Sequence, residues 1–214
     1  MSKTWADSIA QHQEEARARV CAAAVELISE RGLLSVTMAG IAARAGIARA
    51  TLYKYFSDVD SVLLAWIAAA TSQYLPDLAE LANSPGQTPG QALQAVVRRH
   101  AASQREGPVL HVGQLEVASP SVADAARSSR SHLVELVAGV IERAQLAGDC
   151  RNDVSSVRLA RYMLAAIEEV GGSEVESCDV AEVMLLLLSS PAAASTPAMR
   201  RQRESASTRP RSPE

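Results

Sequence analysis

Between Ala16 and Leu188 the apolar residues recur at three- and four-residue steps, interrupted by capping residues, prolines and glycines. That period puts apolar side chains on one stripe of an α-helix and leaves no sustained strand-like alternation. The composition agrees. Aromatic residues make up 3% of the 214-residue chain, with a single Phe, so the core has to be aliphatic and Ala-rich. Ala and Leu favour helix, and the residue types that favour strands are sparse. The expectation is an all-α chain of about nine helices, long enough to bury a core without disulfides or metals.

The punctuation sets the helix boundaries. A first helix is expected from about Ser8 to Arg31, carrying Ala16, Val20, Ala24, Leu27 and Ile28 and stopped by Gly32. Thr37 caps a second that runs to about Ala45, with Gly40 where a capping box would want Glu or Gln. A turn at Gly46-Ile47-Ala48 leads to a short third helix, Arg49 to Phe56. Ser57-Asp58 opens a long fourth helix with the stripe Val59, Val62, Leu63, Trp66, Ile67, Ala70 and Leu78. Thr88-Pro89 opens a fifth, which ends near Gly107-Pro108. A shorter apolar segment, Val109 to Ala118, precedes a helix begun by Ser119-Pro120 and closed by Gly148. Asp153 is read as the cap of the next, with Gly171-Gly172 as its stop, and the last helix spans about Asp179 to Leu188. Beyond Ser189 the chain turns to Ser, Pro, Ala and Arg, the composition of a disordered tail.

Residues 38–57 read MAGIAARAGIARATLYKYFS. Ala42 offers a small side chain where two helices cross. Gly46, four residues on, permits a positive φ in a tight turn. Leu52, six further, packs back onto Ile41 and Ile47. This spacing is a helix-turn-helix signature, in which the second helix enters the DNA major groove. Its exposed face would carry Arg49, Ala50, Thr51, Tyr53, Lys54 and Tyr55. Arg and Lys neutralise phosphates or donate to guanine, and Tyr and Thr hydroxyls bond phosphate oxygens. Arg49 is the first choice for base readout, Tyr53 and Lys54 for phosphates. Tyr55 has two readings, groove contact and packing. Thr37 is a cap on any reading, and its helix N-terminus is a candidate phosphate contact.

Leu34 to Thr37, Ile41-Ala42, Ala45 to Ile47 and Thr51-Leu52-Tyr53-Lys54-Tyr55-Phe56 resemble the DNA-binding region of TetR/AcrR-type transcriptional regulators, over about residues 12–66. The resemblance implies a three-helix DNA-binding head, residues 1–57, on a helical ligand-binding and dimerisation body, residues 58–189, with residues 190–214 as a tail. It implies a cytoplasmic homodimer, a double-stranded DNA operator and a small-molecule effector, with the last two long helices pairing across the dimer. The sequence departs from the pattern in two places. Ala48 stands where a polar residue commonly opens the recognition helix. Val59, between Asp58 and Asp60, stands where a phosphate-gripping Lys is common.

Charge is distributed in keeping with two roles. Residues 1–57 carry 7 Lys/Arg against 5 Asp/Glu, residues 58–197 carry 9 against 17, and the last 17 residues carry 5 against 2. The basic head suits an anion, and Arg200, Arg201 and Arg203 read as a solvated tail that also suits phosphates. For the effector, Trp66, His100, His111 and Glu116 are the candidate contacts. Trp66 also reads as core. With only Trp66, Tyr74 and Tyr162 as aromatics in the body, an aliphatic or acyl-type effector is preferred over a large planar one.

Other chemistry finds no support. His100, His111 and His132 form no i, i+4 pair, so no metal site is expected. The three cysteines, Cys21, Cys150 and Cys178, contain no CxxC and read as inert thiols of a reducing compartment. No catalytic cluster, phosphate loop or cofactor motif occurs, which argues against an enzyme. No apolar run approaches a membrane span, and no signal peptide is expected. The competing reading is a helical protein–protein adaptor that has lost DNA binding.

Overall fold

Helix follows helix from one end of the described chain to the other. The computed structural model describes residues 5–105, 110, 112–115, 117–170 and 174–189. Among them run α1 (Trp5–Arg31), α2 (Met38–Ala45), α3 (Arg49–Tyr55), α4 (Val59–Ala82), α5 (Pro89–Ser103), α6 (Val112–Leu115), α7 (Pro120–Leu146), α8 (Ser156–Val170) and α9 (Glu174–Leu188). A 3-10 turn, Leu33–Ser35, joins α1 to α2. No strand forms among these residues, apart from one isolated bridge between Cys150 and Ser189.

The sequence punctuation works as chemistry. Asp58 accepts from the Ser61 backbone N–H at 2.7 Å while the Ser61 hydroxyl accepts from the Asp58 N–H, a reciprocal capping box. Thr88 and Gln91 make the same box at the start of α5, with Pro89 just inside it. Four expectations need correction. Asp153 does not cap α8: its carboxylate takes both guanidinium arms of Arg151, at 2.6 and 2.7 Å, and the helix begins at Ser156. The bidentate pair two residues away outcompetes a single backbone bond. Helix α1 already begins at Trp5, and α9 at Glu174 rather than Asp179. Ala70 is exposed rather than buried in the α4 stripe, because its face of α4 looks onto an open cavity. The expected stops at Gly107-Pro108 and Gly171-Gly172, and the tail after Ser189, lie outside the described residues.

Buried apolar residues fall into three groups. The head core joins Val20, Ala24 and Leu27 of α1 to Ile41, Ala42, Leu52, Phe56 and Val62. The body core joins Leu78, Val96, Val97, Val137, Ile141, Met163, Leu164 and Ile167, from α4, α5, α7 and α8. A third group lies at the joint, where Val25 and Ile28 of α1 meet Leu63 and Ile67 of α4, Leu110, Leu115 of α6, and Val122 and Ala126 of α7. Helix α1 is therefore apolar on two adjacent faces, one for the head and one for the joint. Each fully buried Leu, Ile or Val contributes about 1.5–3 kcal/mol, so the joint is a packed interface rather than a tether.

Polar latches tie the far end of the body. The Asp149 carboxylate accepts from the Gly90 N–H at 2.9 Å, supplying an acceptor to the first turn of α5. The Gln145 amide donates to the carbonyls of Arg151 and Val154, each at 2.8 Å, and Arg151 N–H donates to Leu188 O at 2.8 Å.

Candidate nucleic-acid interface and ligand cavity

The head is built by local rules. Thr37 Oγ1 accepts from the Gly40 N–H at 3.1 Å, so a cap works where the capping box is absent. Gly46 sits at φ 67°, and its N–H and that of Ile47 return to the carbonyls at the end of α2. This is the left-handed helix ending that glycine makes without steric cost. The chain then re-enters helix at Arg49 with Ala48 as a cap that contributes no side-chain bond.

On α3 the sequence separates two faces. Leu52 and Phe56 are buried in the head core, against Ile41 and Ala42 of α2. Arg49, Ala50, Tyr53 and Lys54 are exposed. Thr51 and Tyr55 are half-buried, and Tyr55 packs against the head core, so packing is the part of its double reading that the geometry displays. Arg49 and Tyr53, one turn apart, are organised together: the guanidinium donates to the Tyr53 hydroxyl at 3.3 Å and lies 5.6 Å from the ring centroid. A cation and a phenol are thereby presented on one exposed surface.

Two further cations have structural partners that the sequence reading did not find. Arg44, at the end of α2, bridges Glu26 and Glu30 of α1 at 3.1 and 2.7 Å. Its hydrogen bond lowers the Glu30 carboxyl below the ordinary carboxylate range. Arg17 of α1 lies 4.7 Å from the Phe56 ring centroid. Asp58, held below its usual range by the Ser61 backbone and the Ser57 hydroxyl, keeps its negative charge on the α4 N-terminus.

The body holds an open cavity made of two chambers that share lining residues. The larger, about 350 Å³, is lined by Tyr74, Arg99, His100, Ser103 and Gln104. The smaller, about 130 Å³, is lined by Ile67, Leu110, Leu115 and Ala126. Trp66, Ala70, Ser129, Leu133 and Glu168 border both. Trp66 is half-buried and touches both the head core and the joint, so its two sequence readings coincide. His100 is buried, and its Nδ1 lies 2.6 Å from the Tyr74 hydroxyl. Burial, with the charges of Arg130 and Arg99, pulls its pKa down to about 4, so the imidazole is neutral. Arg130 of α7 pairs with Glu168 of α8 at the cavity wall. Thr71 and Ser129 share a hydrogen bond of 2.6 Å across α4 and α7.

Of the four candidate effector contacts, Trp66 and His100 meet at this cavity. His111 and Glu116 lie outside the described residues. His132 is exposed. Tyr74, Gln104, Arg130 and Glu168 were missed. A signal existed for two of them, since Arg130 and Glu168 interrupt apolar stripes one turn after Ala126 and Leu164. A charge on a buried stripe asks for a partner. Among the described residues no group of three or more His, Cys, Asp or Glu could hold a metal ion, and no helix is long and apolar enough to cross a membrane.

The family model for bacterial regulatory proteins of the tetR family matches residues 20–65, which spans the helix-turn-helix and the start of α4. Residues 20–65 are thus similar to the DNA-binding region of bacterial regulatory proteins of the tetR family. An uncharacterized HTH-type transcriptional regulator of Mycobacterium tuberculosis (strain ATCC 25618 / H37Rv) is 23% identical to this chain, over 83% of it and 89% of the relative. The crystal structure of the MbdR regulator from Azoarcus sp. CIB has the same fold, with a TM-score of 0.70 at 20% identity over 79% of this chain and 97% of that one. So does AibR, solved in complex with isovaleryl coenzyme A and operator DNA, with a TM-score of 0.69 at 16% identity over 82% and 99%.

Proposed function

We propose that the chain is a cytoplasmic homodimeric repressor, released from a palindromic operator by a small aliphatic or acyl-type effector. Residues 1–57 serve as the DNA-binding domain and residues 58–189 as the effector and dimerisation domain. Arg49 reads bases, Tyr53 and Lys54 hold phosphates, and Ala50, Thr51, Tyr55 and the Thr37 end of α2 lie along the same groove. The observation that carries this reading is the position of Trp66. It packs on the head core and on the joint while bordering the cavity. A ligand that reshapes the cavity therefore pushes on the element that positions the head.

The dimer is supported by α8 and α9, which expose apolar side chains to solvent, among them Tyr162 at 65% and Leu186 at 74%. A patch of this kind asks for cover. Two heads then meet successive major grooves about 34–36 Å apart. An effector that favours a different spacing weakens binding only by its differential affinity for the two states. AibR, which shares the fold, was solved with an acyl-coenzyme A and with operator DNA, and that supports the same division of labour here.

The test is selection of bound sequences from a random duplex pool, followed by affinity across a salt series. Enrichment of one palindrome, with affinity falling steeply with salt, is the expected result. Sequence-blind weak binding by protein that has been unfolded, stripped of ligand and refolded overturns it. A Tyr53→Ala variant with wild-type operator affinity removes α3 from the interface.

A further inference from the structure

The cavity wall contains two buried polar atoms without hydrogen-bond partners in the protein. They are His100 Nε2 and Gln104 Oε1. The His100 side chain is 3% exposed. Buried polar atoms are almost always satisfied, and an orphan marks a place where a water or a ligand completes the set. The two residues are four apart at the C-terminal end of α5, so they share one face and border one chamber.

The donor and acceptor roles follow from the surroundings. The Tyr74 hydroxyl stands 2.6 Å from His100 Nδ1. A Glu168 carboxylate oxygen stands 4.0 Å from Nε2, too far for a hydrogen bond but close enough to favour a proton there. With Tyr74 donating to Nδ1, the orphan at His100 is an N–H donor. The orphan at Gln104 is an acceptor. Charges of both signs stand around this corner, with Arg99 and Asp77 on the chamber lining and Glu168 beside His100. Glu168, already paired with Arg130, opposes a carboxylate beside Nε2. Arg130 and Arg99, which act on the imidazole, oppose a cation.

The adjoining chamber fixes the other end. Its apolar walls are Ile67, Leu110, Leu115 and Ala126, with Ser129, Arg130 and Glu168 also on its lining, and its volume is about 130 Å³. An apolar cavity of about 150 Å³ takes benzene, so this one holds about six carbons.

We infer that the effector is a neutral amphiphile, with a hydroxyl or carboxamide head between His100 Nε2 and Gln104 Oε1 and a short aliphatic tail of about six carbons in the chamber beside Trp66. The assignment rests on the reading of the body as the effector domain. It narrows the aliphatic class to heads that both donate and accept.

The experiment uses the full chain carrying Trp5→Phe, so that Trp66 fluorescence reports the cavity alone. The probes are hexanamide, 1-hexanol, hexanoate and hexylamine, with 1-butanol and 1-decanol for length. The neutral hexyl probes are expected to bind about tenfold or more tighter than both charged ones, because a charge of either sign meets a like charge at this wall. Affinity should rise about fourfold per methylene up to about six carbons and then level off. His100→Phe and Gln104→Leu should each lower hexanamide affinity about tenfold with the helical circular-dichroism signal kept. If His100→Phe fails to fold, Gln104→Leu decides alone.

Hexanoate or hexylamine binding as tightly as hexanamide overturns the assignment. So does wild-type affinity in Gln104→Leu, or no binding by any neutral probe. Hexanamide binding that leaves operator affinity unchanged has a different meaning. It keeps the cavity chemistry and breaks the repressor reading.

Discussion

The head and the cavity are made by opposite means. The helix-turn-helix of the head is shaped by features close in sequence: Thr37 caps, Gly46 turns, Leu52 packs on Ile41 and Ala42, and Arg49 meets Tyr53 one turn away. The cavity joins Tyr74 to His100 across 26 residues and Thr71 to Ser129 across 58, with Arg130 and Glu168 on separate helices. The head presents polar groups outward on a locally fixed frame. The cavity buries polar groups on a frame that exists only after α4, α5, α7 and α8 have packed. A locally built unit is recognised in a stretch of sequence, and a globally built one is not.

This contrast can be broken most directly through Leu52, which is fully buried in the head core. Leu52→Ala should cost about 2–5 kcal/mol, felt first in the head. Operator binding should be lost, while Trp66 fluorescence still reports hexanamide. Equal loss of both activities would mean that the joint makes head and body one cooperative unit.

The next effect belongs to the cavity and depends on pH. The His100 pKa falls from 6.5 to about 4 on folding, mainly through burial. In this window the unfolded chain binds the proton and the folded chain does not, so stability rises with pH. The contribution is complete above about pH 6.5 and is lost as pH falls towards 4, by about 3 kcal/mol. Urea denaturation of wild type and His100→Phe across this range checks it. The difference between the two proteins should shift with pH, and parallel curves would place the imidazole in water.

A smaller effect sharpens the comparison at the far end of the body. A Cβ on Gly90 would stand 2.9 Å from the Asp149 Cβ. Gly90→Ala should therefore destabilise by about 1–3 kcal/mol, with a lower thermal midpoint and operator specificity unchanged. Thr37→Ala removes a single cap bond and should cost about 1 kcal/mol. Chemical denaturation reads it, and a drop in operator affinity beyond that cost would show that the α2 terminus also touches phosphate.

How far the sequence could be read follows the same division. Thr37, Asp58 and Thr88 were legible as caps because a hydroxyl or carboxylate reaches a backbone N–H three residues away. Asp153 was misread for a reason of the same kind, since Arg151 competes for it at equally short range. Trp66 and His100, two of the four candidate effector contacts named from the sequence, line the cavity. Their partners Tyr74, Gln104, Arg130 and Glu168 were not found, since each depends on which helices become neighbours. Arg44 shows the limit inside the head. As a cation two residues before the turn it resembles a DNA ligand, yet Glu26 and Glu30 of α1 hold it.

By itself the sequence determined the helices, their ends and the helix-turn-helix, because hydrogen bonds within a few residues and a 3.6-residue apolar period settle these before distant contacts form. The tertiary structure alone decided which cations are tied to carboxylates, that α1 serves two cores, and where buried polar atoms stay unpaired. Those are properties of helix pairing, and helix pairing is selected by packing over the whole chain.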